Sequence, residues 1–204
     1  MPKIVPHLAP MKRPYQLWHT DACLSIAPTL NHFENKHYPN RLRCSINDLS
    51  HWLTSACFFY SAIVRVCENN NVIEPVSVAS FLLVSKTSYI GFVQGKLREA
   101  QLKPWRQDRC PLNPVVYYSS LILSEHSNGP LLFRTLLHDF NRYLSNAGKI
   151  QPTLVFALAS NSSGFQHLSQ HGFTRIGKSY LSKFPILQLT NPKNPEDIWW
   201  TVLH

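Results

Sequence analysis

The longest periodic signal in the chain begins near residue 49. Leu49, Trp52, Leu53, Ala56, Cys57, Tyr60, Ile63, Val64 and Cys67 recur at steps of three and four, the spacing of one buried stripe on an α-helix. Asn47 or Asp48 is placed to cap that helix, and the polar run Glu68, Asn69, Asn70 and Asn71 ends it. Residues 41–46 predict a short strand before it. After it come two runs rich in β-branched and aromatic residues, 76–85 and 88–97, separated only by Lys86 and Thr87, and they predict an antiparallel hairpin. Pro104, Pro111 and Pro114 then mark a loop.

The second half alternates more cleanly. Residues 115–123 read as a central strand, 124–129 as a turn, and Leu132, Leu136, Leu137, Phe140 and Leu144 as the apolar face of a helix that stops at Asn146, Ala147 and Gly148. A strand over 153–159 leads to Asn161, Ser162 and Ser163, which suit the cap of a short helix over 164–171. Gly172 suits the left-handed residue after its end, and Phe173 then folds back on its last turn. Residues 174–181 and 198–203 read as closing strands, with 185–189 a continuation or an intervening segment. Residues 1–40, with Pro2, Pro6, Pro10 and Pro14 and the isolated aromatics Tyr15, Trp18, Phe33 and Tyr38, hold neither period and are expected to form an irregular arm on a domain spanning 41–204.

Composition narrows the class. A chain of 204 residues, 44% hydrophobic and 15% charged, with 7 Gly against 15 Pro, has enough apolar surface for one core and is expected to fold. It has no uncharged apolar run of about 18 residues and no signal-like leader, so a membrane span is not expected and a cytoplasmic location is. Five widely spaced cysteines without a C-x-x-C pair point to reduced structural thiols. The formal charge of +9 attracts polyanions: nucleic acid, an anionic membrane surface, or the phosphates of a nucleotide cofactor. Because the basic residues are dispersed and no nucleic-acid motif is interleaved with them, nucleic acid is not the expected partner.

Two ungapped segments carry a family likeness. Residues 121–137 run from the strand Leu121, Ile122, Leu123 through Asn128 and Gly129 into Leu131, Leu132, Phe133 and Arg134 of the next helix; residues 161–173 place Asn161, Gly164, Gly172 and Phe173 around a short helix. Together with the element order they resemble the GNAT superfamily of N-acyltransferases. The likeness implies an α/β (α+β) fold with a mixed, mostly antiparallel central sheet flanked by helices on both faces. It also implies acetyl-CoA or another acyl-CoA as substrate, an amine as acceptor, and no metal.

In that family the first segment is an anion site, where backbone N–H groups at a helix N-terminus face the pyrophosphate. The resemblance therefore implies contacts to the cofactor from Leu121, Ile122, Leu123, Asn128, Gly129, Leu131, Leu132, Phe133, Arg134 and Asn161. Asn128 stands where the family has Arg or Gln, and Leu131 and Phe133 stand where it has small residues. Asn161 serves either as a helix cap or as a partner of the pantetheine arm. The family's proton-donating tyrosine corresponds to Leu168, which cannot donate, and its strand carboxylate corresponds to a stretch holding Tyr118, Ser119 and Ser120. Tyr118 and Ser120 are the candidate catalytic groups there; for Tyr117 and Tyr118 packing is the alternative role. His167 and His171 lie four apart without a third metal ligand. The expected function is acyl transfer to an amine. The alternative is a non-catalytic GNAT-fold protein that binds a ligand, or a protein partner through residues 1–40.

Overall fold

The computed structural model describes residues 15–67, 72–105, 114–124, 129–146, 152, 154–179 and 183–190. Seven strands, β1 (Tyr15–His19), β2 (Phe58–Cys67), β3 (Val72–Val84), β4 (Val115–Ile122), β5 (Leu154–Leu158), β6 (Thr174–Lys178) and β7 (Pro185–Thr190), form one sheet in the order β1-β2-β3-β4-β5-β7-β6. Every neighbouring pair is antiparallel except β4 and β5. The helices are α1 (Thr20–Leu24), α2 (Ala27–His37), α3 (Ile46–Leu53), α4 (Lys86–Val93), α5 (Gly129–Asn146) and α6 (Ser162–Gln170).

Both faces of the sheet are covered, because its central strands are apolar at odd and even positions alike. Phe58, Tyr60, Ala62 and Val64 of β2 join one hydrophobic layer, with Cys23 of α1, Leu30 of α2, Leu49 and Trp52 of α3 and Phe92 of α4. Phe59 and Ile63 face the other layer, with Leu132, Leu136 and Phe140 of α5 and Leu168 of α6. The result is a mixed α/β domain, mostly antiparallel, with helices on both faces.

A strand buried on both faces has no polar side to reveal its period. That explains the largest departure from expectation: the helix predicted to run to Cys67 stops at Leu53, and 58–67 is β2. The helix that does form is capped by Ser45, not Asn47 or Asp48. Its hydroxyl accepts from the Asp48 N–H at 3.1 Å while the Asp48 carboxylate accepts from the Ser45 N–H at 3.2 Å, a reciprocal capping box. In place of the predicted first strand, Asn40–Leu42 is a 3-10 turn followed by coil.

The predicted hairpin over 76–97 is also redistributed. Its first run is part of β3, which pairs with β2, and its second is α4, started by the Ser85 hydroxyl accepting from the Ser88 N–H at 3.0 Å. Pro75 is tolerated in β3 because it sits at a register shift, with Val64 opposite Pro75 and Ile63 opposite Ser77. Residues 15–37 are not irregular: they form β1, which pairs along β2, and helices α1 and α2, whose Cys23 and Leu30 are fully buried.

The C-terminal half follows its sequence closely. Asn161 Oδ1 accepts from the Gly164 N–H at 2.7 Å, Gly172 has φ +79°, and the Phe173 N–H donates to the Leu168 carbonyl at 3.1 Å, closing α6. Residues 185–190 form a full strand that enters between β5 and β6. The predicted strand over 198–203 lies outside the described residues.

Candidate active site

The site begins where β4 and β5 part. These parallel strands pair only from Val116 to Tyr118 against Val155 to Ala157. Just there β4 carries a bulge: Ser80 faces Ser120 and Phe81 faces Tyr118, so Ser119 is the extra residue. Beyond it the strands diverge around a cleft of about 380 Å³ whose walls include Tyr38, Tyr118, Leu121, Leu158, Asn161 and Leu168. The backbone groups that β5 no longer pairs need other partners. One is found: the Leu121 N–H donates to the Tyr38 hydroxyl at 3.1 Å.

Five of the sequence-predicted site residues meet in this cleft, namely Tyr118, Leu121, Ile122, Leu123 and Asn161. Ser120 lies behind it, in a separate chamber. Gly129 opens α5, and Leu131 and Leu132 turn inward, 8% and 0% exposed, so their bulk packs into the domain and away from solvent in front of the helix. Arg134 is exposed on α5. Asn128 and the side chain of Phe133 lie outside the described residues. Tyr118 packs edge-on against Phe81, and its hydroxyl is buried. Tyr117 points to the opposite face, stacked on Phe156 with ring centroids 4.8 Å apart.

Behind the cleft is a small chamber of about 30 Å³, room for a water-sized group, whose wall mixes polar groups with Leu49, Trp52 and Phe58. Glu34, Tyr38, Ser80, Glu99, Tyr117 and Ser120 contribute to its wall. Ser80 and Ser119 hydroxyls hydrogen-bond at 2.7 Å. Glu34 projects from α2 and is 4% exposed; its Oε1 has no hydrogen-bond partner among the described residues. Glu99, from a 3-10 turn over Glu99–Gln101, accepts a hydrogen bond from the Tyr117 hydroxyl at 2.5 Å through Oε1, while its buried Oε2 lacks a partner among the described residues.

Two buried carboxyls in one chamber resist ionisation. Burial pushes Glu34 up to about 7, partly offset by the nearby hydroxyls of Ser120 and Tyr60. Burial likewise pushes Glu99 up to about 7, with the Tyr117 hydrogen bond working against it and the charge of Glu34 with it. Cys44, also on the chamber wall, is raised to about 12 by burial and then by the charges of Glu34, Glu99 and Asp48, which leaves it an inert thiol.

On its far side the chamber adjoins a wider mouth of about 360 Å³, with Leu42, Cys44, Glu99 and Leu158 common to both walls. Tyr38, Ser119 and Leu158 are common to chamber and cleft. Cleft, chamber and mouth thus adjoin in sequence from one side of the parted strands to the other.

Sequence reasoning missed both carboxylates. Glu34 had a signal: Ala27, Leu30 and Glu34 are spaced three and four apart and form the buried face of α2. An acid on an apolar stripe is costly unless it has a use or a partner. Glu99 had none, lying in a stretch read as strand and loop.

No model of a known protein family matches the chain, and no curated sequence does. Solved structures match its fold. Arabidopsis thaliana NAA60, in a complex with acetyl-CoA, superposes with a TM-score of 0.50 at 11% identity, over 85% of this chain and 96% of that one. The chain has the GNAT fold. The GNAT domain of S. lividans PAT is a further likeness, at 14% identity and a TM-score of 0.47, over 86% of this chain and 89% of that one. In this GNAT fold Leu168 is 5% exposed and packs in the core while edging the cleft, so no hydroxyl stands at that helix position. His167 beside it also edges the cleft; burial and then the neighbouring His171 lower its pKa. Among the described residues no group of three His, Cys, Asp or Glu is arranged to hold a metal, and no helix is long and apolar enough to cross a membrane.

Proposed function

We propose that the protein is an N-acyltransferase that moves an acyl group, acetyl in the simplest case, from acyl-CoA to an amine, with Glu34 as the general base. The observation that carries this reading is a buried carboxylate with an unpartnered oxygen, set immediately behind the parting of β4 and β5.

The residues of the cleft suit an acyl-CoA. Its wall mixes apolar side chains with the main-chain edge that β4 no longer shares with β5 beyond Tyr118 and Ala157, as an amide-containing pantetheine arm requires. The 18-residue α5 starts at Gly129 and offers first-turn N–H groups to a pyrophosphate. The amine enters from the mouth and loses a proton to Glu34. Its nitrogen then bonds to the thioester carbon as the C–S bond breaks, and the acylated nitrogen releases its remaining extra proton to solvent to become the neutral amide. CoA leaves as a thiolate that takes its proton from solvent, since Leu168 has none to give. A carboxylate whose pKa burial raises to about 7 is a stronger base than a free one and better matched to accept a proton from an ammonium held beside it. Positioning and main-chain polarisation of the carbonyl supply the rest. Ser120, close to Glu34, orients that carboxylate; Tyr118 shapes the cleft.

The alternative is a non-catalytic GNAT-fold protein that binds a ligand, or a protein partner through residues 1–40. Residues 15–37 are built into the sheet and its helical layer, so they offer no separate irregular arm as contact surface.

The test is release of CoA thiol from acetyl-CoA with a panel of amines. Glu34→Gln should lower kcat/KM by about 100-fold or more, within the range of general-base contributions. Retention of activity within about threefold, against that expected range, removes Glu34 from the mechanism.

A further inference from the structure

We infer that the acceptor is a small zwitterion, an amine that also carries a carboxylate, with its ammonium seated at Glu34 and Glu99 and its carboxylate held at the mouth by Arg43 and Arg98. This rests on the acyltransferase reading and adds the acceptor class to it.

The charges along the route are sorted by depth. Within, Glu34 and Glu99 each present a buried carboxylate oxygen without a hydrogen-bond partner among the described residues. Such an oxygen is costly to leave unmatched, and a chamber with room for a water-sized group is matched by an ammonium. Outside, Arg43 and Arg98 are exposed on the wall of the mouth. Arg43 is fixed there by its Nε–H donating to the Tyr38 carbonyl at 3.2 Å. The backbone of Arg98 is fixed by its N–H donating to Gln101 Oε1 at 2.8 Å. Glu99, which also lines the mouth, spends one oxygen on Tyr117 and buries the other, so it does not neutralise them. No carboxylate among the described residues pairs with either guanidinium.

A ligand that satisfies both ends has its positive group inward and its negative group outward. A polyamine places a second cation against two guanidiniums, and a simple monoamine leaves them unmatched. Guanidinium forks favour a carboxylate, and the apolar wall of Leu42, Phe92 and Leu158 faces the carbon skeleton between the two ends.

Two measurements on the full chain test this. The first compares acyl transfer from acetyl-CoA to glycine, β-alanine, 4-aminobutyrate and leucine with transfer to their methyl esters, in the wild type and in an Arg43→Gln, Arg98→Gln double variant. At least one acid should be preferred to its ester by tenfold or more in kcat/KM, and the double variant should collapse that preference through a rise in the KM of the acid. Equal use of acids and esters, or a variant that slows both alike, overturns the zwitterion and leaves the acyltransferase standing. The second is calorimetry of the same acids with protein saturated with CoA. Binding of an acid but not its ester upholds the site even if no amine is acylated, in which case only the catalytic reading falls. No binding and no transfer overturns both.

Discussion

The Tyr38 hydroxyl accepts a hydrogen bond from the Leu121 N–H at 3.1 Å, joining the end of α2 to the strand that walls the cleft. The two residues lie 83 apart in the chain, so the contact ties the N-terminal helices to the place where β4 leaves β5. Burial and then the charge of Glu34 raise the pKa of this phenol, which stays protonated. Tyr38→Phe strips the partner from a buried N–H and should cost about 1–3 kcal/mol in urea unfolding. It should also weaken acyl-CoA binding, because Tyr38 edges both cleft and chamber.

The chamber makes stability depend on pH in a defined direction. Folding raises Glu34 and Glu99 to about 7, so the native chain holds protons that the unfolded chain releases. This contribution is full below the unfolded carboxyl range, about 4.3, and is lost as pH climbs to about 7. Urea midpoints should fall between these limits and level off above them, with the pair titrating together. Glu34→Gln should flatten the fall, and at pH about 8 the variant should be more stable than the wild type while being far less active.

Activity should show the complementary profile. The base works ionised, so kcat/KM should rise with pH to a plateau, with a midpoint near the chamber pKa of about 7. The rising limb should vanish in Glu34→Gln. An unchanged limb in that variant assigns it to another group.

Asn161 has a structural duty that accounts for its side chain. Its Oδ1 caps α6 on the Gly164 N–H at 2.7 Å. Asn161→Ala should cost about 1 kcal/mol of stability, and Asn161→Asp should restore most of it. Gly172 closes the same helix at φ +79°, a conformation that suits glycine, and Gly172→Ala should cost about 1–2 kcal/mol. Both are measurable by denaturant unfolding.

The packing of the second layer is equally testable. Phe140 is fully buried and meets Phe59 edge-on, with ring centroids 5.3 Å apart. Phe140→Ala should cost about 3–5 kcal/mol, enough to lower the thermal midpoint by many degrees.

What the sequence made legible follows from how each segment is buried. β4, α5, β5 and α6 are each bounded by turn residues and close to one period, so their pattern survives reading; the capping by Asn161 and the left-handed Gly172 were visible in it. β2 was not, since Phe58 to Val64 alternate between two apolar layers and mimic a helix stripe that began correctly at Leu49. α4 was hidden by its aromatic content, which reads as strand until the Ser85 cap is recognised. The cleft residues Tyr118, Leu121, Ile122, Leu123 and Asn161 came from likeness to a family. Glu34 could not come from it, because its carboxylate reaches the chamber from α2 in a segment whose prolines suggested no helix at all. A site assembled from elements this distant in sequence becomes visible when Leu30 and its neighbours are seen packed against the sheet.

Calorimetric titration of the full chain with acetyl-CoA and longer acyl-CoAs tests the acyltransferase reading most directly. Saturable single-site binding is expected, weakened at least tenfold by Ser163→Trp, which sets an indole on the exposed rim of the cleft. Absence of binding at millimolar acyl-CoA, or binding that Ser163→Trp leaves untouched, contradicts it.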